Sequence, residues 1–162
     1  MLSSLIVVEE KSSMTAPPRS EANKAIVDRW VAEYWDERNP DIVDELAADD
    51  MLLRYPLGGE SRGHEEIKTR IIGFDGLFPD YNCELTAELI AEGDRVVALW
   101  EAEGTHTGPA WELPIGVLPA GSGRTIRYTG IAVYRVRDGK IIEEYGEGDY
   151  LGVVRQLGLV DP

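Results

Sequence analysis

The stretch TIRYTGIAVYRVRDGKIIEEYG, Thr125 to Gly146, decides the fold. It reads as a strand over Thr125–Val136, a tight turn at Asp138 and Gly139, and a returning strand, because Asp-Gly between two apolar runs is a hairpin signal. Gly130 interrupts the first strand, where glycine marks a bulge, a strong bend or the close approach of another group. A curved sheet is the expectation.

Upstream, from Cys83 onward, further apolar runs are separated by Glu92, Gly93 and Asp94, which reads as a second hairpin turn. Before Cys83 helices dominate. Ser20 is placed to cap a helix in which Ile26, Val27, Trp30, Val31 and Tyr34 form one apolar stripe. Asn39, Pro40 and Asp41 start a short second helix with Ile42, Val43 and Leu46 inward. After the apolar run Met51–Tyr55 and the turn-forming segment Pro56–Gly63, a third helix carries Ile67, Ile71, Phe74 and Phe78. Downstream, Asp149 stands as N-cap to a closing helix with Leu151, Val154 and Leu157, which Gly158 ends. Helices first, then a bent sheet and a last helix, make an α+β fold.

The chain has 162 residues, enough for one domain with a sizeable core. Residues 1–19 have the composition of a flexible tail, with Met14 offering a second possible start, and 20–162 form the single domain. Sixteen basic against thirty acidic side chains give a net charge of −14, which repels phosphate backbones and anionic membranes. Nucleic acid and membrane are not expected partners, and the acidity itself identifies no substrate. Cys83, the single cysteine, has no partner for an internal disulfide, which suits a reducing cytoplasm. Neither zinc-ligand spacing, nor a phosphate-cradling glycine loop, nor a nucleophile elbow is present. The apolar start, Met1 to Val8, is too short to span a bilayer and is not preceded by a basic residue.

Several motifs occur in a familiar order: Ala48-Asp49-Asp50, Gly104-Thr105-His106-Thr107-Gly108-Pro109, Thr129-Gly130-Ile131, Tyr134-Arg135-Val136, Asp138-Gly139-Lys140-Ile141, Glu143-Glu144, Asp149, Leu151-Gly152 and Arg155-Gln156-Leu157-Gly158. In these the chain resembles the SnoaL-like polyketide and ester cyclases. The resemblance implies the nuclear-transport-factor-2-like cone, a strongly curved antiparallel sheet with three N-terminal helices packed over it and a short C-terminal helix. It implies a homodimer through the sheet, no cofactor, and a pocket for a hydrophobic polyketide-like or terpenoid-like molecule. The cyclases of the group place an acid/base aspartate shortly after the last hairpin and a histidine on the preceding strand. Counted from Asp138-Gly139-Lys140, those positions here are Gly146 and Ala132, neither of which can move a proton.

If Ala132 and Gly146 face the pocket, then Tyr128, Gly130, Tyr134, Ile142 and Glu144 share that side, unless a bulge at Gly130 changes the phase. Glu144 is then the candidate acid/base, its pKa raised by an apolar surrounding, with Tyr128 placed to steady a developing oxyanion. The plainer alternative puts Glu144 at the rim, solvated or paired. His106 is a candidate base or a histidine bound to backbone in a glycine-rich turn. Asp149 is a candidate for the pocket wall or simply the helix cap. Glu147, on the opposite face, and His64, opening the third helix, are expected in solvent. Trp30, Tyr34, Tyr55, Phe74, Phe78, Trp100 and Trp111, with Ala132 and Gly146, are candidate ligand contacts, each also accountable as core. The segment between Pro109 and Arg124 is a candidate lid or dimer contact. Two functions follow: a cofactor-independent cyclase, isomerase or hydratase, or a noncatalytic carrier using the same pocket.

Overall fold

Around the decisive hairpin the sheet is built as expected. The computed structural model describes residues 18–161. Strand β8 (Thr125–Arg137) and strand β9 (Lys140–Gly148) pair antiparallel through a turn in which Asp138 and Gly139 both take positive φ, 50° and 75°. That turn matches the twist of the strands it joins. On the other side of β8 lies β5 (Arg95–Thr105), paired over its full length from Arg95↔Arg135 to Thr105↔Thr125. The short strands β3 (Asn82–Leu85) and β4 (Ile90–Glu92) both pair with β5.

Strand β1 (Ala47–Tyr55) joins the far edge of β9, and β2 (Gly59–Arg62) covers β1. The β1–β9 pairing is parallel, the one departure from an antiparallel sheet among the described residues. β2 forms inside the segment that its turn residues marked as irregular. A separate two-stranded ribbon, β6 (Trp111–Leu113) and β7 (Gly116–Leu118), occupies the apolar segment after Pro109.

Helix α1 (Arg19–Trp30) runs into a π-helical turn, Val31–Asp36. Its N-terminus differs from the reading of Ser20 as cap: Arg19 is already helical, Pro18 sits at the cap position, and the Pro18 carbonyl accepts from the Glu21 and Ala22 amides. Proline lacks the amide that the first turn would leave unsatisfied. The tail expected over 1–19 lies outside the described residues up to residue 17. α2 (Ile42–Leu46) buries Ile42, Val43 and Leu46, and the Asn39 side chain accepts from the Asp41 amide at 3.0 Å just before it. α3 (Gly63–Leu77) buries Ile67 and Ile71 and packs on β1. α4 (Tyr150–Gln156) ends at Gly158 with φ 72°.

Two glycines show why the sheet accepts its aromatic filling. A Cβ on Gly130 would lie 2.2 Å from Trp100 Cζ2, and one on Gly146 would lie 1.9 Å from Tyr55 Cε1. Each glycine leaves the volume into which a ring folds. The phase break does not fall at Gly130, where pairing is continuous; it falls in β9, between Glu143 and Ile141, so Ile141 is fully buried and Ile142 leaves the face of Glu144.

Candidate active site

Glu144 is fully buried, not at the rim. Its carboxylate accepts four hydrogen bonds. Trp30 Nε1 donates to Oε2 at 2.7 Å, and Trp35 Nε1, the Tyr55 hydroxyl and the Tyr134 hydroxyl donate to Oε1 at 2.8, 2.6 and 3.2 Å. Burial pushes the Glu144 pKa up from the ordinary carboxylate range, and the four donors pull against it without cancelling it. Burial, and then the charge of Glu144, push Tyr55 and Tyr134 well above the usual phenol range, so both remain donors.

The π-helical turn is what brings two indoles to one carboxylate. Trp30 and Trp35 are five residues apart, which on a regular α-helix sets them about 140° apart around the axis. The wider turn over Val31–Asp36 returns residue 35 towards the side of residue 30. Trp30 also stacks on Tyr34 with ring centroids 4.4 Å apart, and the Tyr34 hydroxyl donates to the Ile67 carbonyl at 2.8 Å.

In front of this cluster lies a small, largely apolar cavity of about 90 Å³ that opens to solvent. Trp35, Tyr55 and Tyr134 form the wall that separates it from Glu144. Trp100, Tyr128 and Tyr150 line it from the sheet and α4, and Phe74, Trp111 and Tyr81 add to its aromatic lining. The Tyr81 and Tyr128 hydroxyls are 3.2 Å apart, and Tyr128 meets Trp100 edge-on at 5.3 Å. Burial raises the Tyr128 pKa to about 12, so this pair also stays protonated. The buried indole N–H of Trp100 has no acceptor among the described residues. Cys83 lines the wall as an inert thiol, its pKa pushed up to about 12 by burial.

Of the residues singled out from sequence, Tyr55, Phe74, Trp100, Trp111 and Tyr128 lie on the cavity wall. Trp30, Tyr34 and Phe78 do not: all three are fully buried core, Trp30 behind Glu144 and Phe78 packed edge-on against His106 and Trp111. Ala132 is fully buried in the sheet, paired with Gly146, and the Tyr55 ring covers Gly146. His106 is fully buried, with Nδ1 2.9 Å from Ser122 Oγ and Nε2 2.8 Å from the Pro109 carbonyl. A carbonyl only accepts, so Nε2 carries the proton and Nδ1 accepts from Ser122, which leaves neither nitrogen for a ligand. Asp149 caps α4 by accepting from the Gly152 amide at 2.9 Å. His64 is not in solvent: half-buried, it reaches Asp44 at 3.1 Å and the Ala47 carbonyl at 3.2 Å.

Trp35, Tyr81, Arg70 and Tyr150 also line the cavity, and strand alternation and helical stripes in the sequence do not single them out. The one usable signal was the Trp30–Trp35 spacing, which fits no α-helical stripe and so suggests a π turn. Among the described residues no cluster of three His, Cys, Asp or Glu side chains is arranged to hold a metal, and no helix is long and apolar enough to cross a membrane.

This architecture recurs in solved structures. TsrD from Streptomyces laurentii is similar at 25% identity and TM-score 0.71, over 90% of this chain and 100% of that one. A protein from Jannaschia sp. CCS1 assigned to the SnoaL-like polyketide cyclases is similar at 21% identity and TM-score 0.74, over 91% and 98% of the two chains. IdmH from Streptomyces antibioticus is similar at 23% identity and TM-score 0.65, over 84% and 98%. The latter two, below 25%, speak for the fold alone. No match is found among curated proteins. The family model of the SnoaL-like polyketide cyclases matches residues 25–157, and the chain belongs to that family.

Proposed function

We propose that this protein is an acid/base enzyme that acts on a largely apolar, ring-bearing small molecule, with Glu144 as proton acceptor working through Tyr55. Family membership supports a small-molecule enzyme in the general sense. The observation that carries the finer reading is a buried carboxylate joined by a 2.6 Å hydrogen bond to a tyrosine on the wall of an aromatic cavity.

The position where the family's aspartate is expected is Gly146, and the Tyr55 ring fills the space a side chain there would need. Tyr55 thus carries the proton-transfer function to the cavity surface. In an enolisation step, the ligand C–H proton passes to the Tyr55 oxygen while the Tyr55 proton passes to Glu144 Oε1, so no phenolate accumulates. The C–H bonding electrons remain on the ligand as an enolate, whose oxygen accepts from the Tyr81–Tyr128 hydroxyl pair. A raised carboxylate pKa makes Glu144 a stronger base for that transfer. The same enolate is the intermediate shared by isomerisation and ring closure.

The carrier reading is favoured by a different observation: every oxygen of Glu144 is already engaged by protein donors. Deuterium incorporation into 2-tetralone in D2O, followed by proton NMR, separates the two. The enzyme reading expects protein-accelerated exchange at the carbon between carbonyl and ring, reduced at least about a hundredfold in Tyr55→Phe. Binding of the ketone without accelerated exchange establishes the carrier.

A further inference from the structure

Arg70 is the only charged side chain among the residues lining the cavity. It sits on α3 and also borders a shallow, open groove with Ser61, Glu65 and Glu66, so it stands where the apolar cavity meets water. None of the ion pairs among the described residues includes it. Its guanidinium is nevertheless fixed: Nε donates to Ser61 Oγ at 2.9 Å and Nη2 to the Gly59 carbonyl at 2.7 Å. Both partners are neutral, so its charge is offset only at longer range, by Glu65 and Glu66 along the groove, and Nη1 has no hydrogen-bond partner among the described residues.

The neighbouring backbone is shaped around that third nitrogen. Gly58 lines the same cavity, and a Cβ there would lie 2.3 Å from Arg70 Nη1. The charge is felt along the wall, since it opposes the upward push on the Tyr150 hydroxyl. In a protein of net charge −14, a guanidinium held at an apolar mouth without a direct ion-pair partner among the described residues is not explained by a general need for cations. Guanidinium groups are suited to planar oxyanions, which they hold by charge-assisted hydrogen bonds.

We propose that Arg70 is a specificity residue that receives a carboxylate, or a like planar oxyanion, on the end of the ligand nearest the mouth. The ligand class is then an amphipathic ring system with one anionic terminus, its apolar body among the aromatic walls. This inference rests on the reading of the cavity as a ligand site.

Calorimetric titration with 2-naphthoate and 2-naphthamide at neutral pH and low salt tests both, because the two probes share a ring system and differ in charge. The expected result is carboxylate binding about tenfold tighter than amide binding. The ratio falls to about one in Arg70→Gln and also in Gly58→Ala, where the added methyl displaces the guanidinium tip without touching the core. Added salt narrows the ratio in the unmodified protein. Equal binding of the two probes overturns the anion subsite and leaves the cavity reading standing. A tenfold ratio that survives in both variants places the anion elsewhere and also overturns it. Binding of neither probe overturns the ligand cavity and the subsite together.

Discussion

At Glu144, two indole N–H groups and two phenol hydroxyls converge on one buried carboxylate, and burial outweighs their pull on its pKa. A group whose folded pKa is raised holds its proton more tightly in the folded state. Its contribution to stability is therefore complete below the ordinary carboxylate range and is lost as pH rises through the raised value. Urea melts across that interval are expected to show a fall in stability for the unmodified protein that is missing in Glu144→Gln. The substitution itself costs about 1–3 kcal/mol, because an amide NH2 then faces at least one protein donor. Gly146 gives a second test. Gly146→Ala forces a methyl into the Tyr55 ring and is expected to lower stability by roughly 1–3 kcal/mol. In a Tyr55→Ala background the same change is expected to cost much less, a coupling that a double-mutant cycle on denaturation midpoints measures directly.

Among the elements, the π-helical turn and the β8–β9 hairpin differ in how openly the sequence announces them. Asp138-Gly139 between apolar runs specifies its turn by local chemistry, since two consecutive positive φ values exclude most side chains. Asp138→Gly or Asp138→Asn is expected to leave the melting temperature nearly unchanged. Asp138→Val, β-branched at a left-handed position, is expected to cost about 1 kcal/mol or more in the same melts. The π turn has no comparable local code. Trp35 is placed by what it meets, the Glu144 carboxylate and the Tyr55 ring, 5.3 Å away edge-on. The segment after Pro109, expected as a lid or a dimer contact, is a ribbon whose Trp111 reaches the cavity and whose root is tied by His106 to Ser122 and Pro109. His106→Asn is accordingly expected to raise proteolytic cleavage between residues 107 and 123, read by limited proteolysis and mass spectrometry.

For the molecule as a whole, the outward face of the sheet carries Ile131, 49% exposed, beside the half-buried Val97, Leu99 and Val133. The homodimer implied by the resemblance is expected to use this stripe. Sedimentation velocity should show a dimer for the unmodified chain and a monomer for Ile131→Asp, and an unmodified monomer would remove the expectation. The sequence alone determined the α+β class, the hairpin, the cap at Asp149 and the emptiness of positions 132 and 146, because turn chemistry, strand alternation and missing side chains are local properties. It also pointed to Glu144, through alternation across one hairpin. Only the tertiary structure decided which aromatics face the cavity. Tyr34 and Phe78 look no different in sequence from Tyr55 and Phe74, and which face reaches the cavity depends on a bulge in β9, a π turn and two glycines that admit rings from the neighbouring strands. Arg70 escaped the sequence for the same reason: an arginine on a helix shows in sequence neither the cavity it lines nor the neutral partners that hold it, which are properties of packing in space.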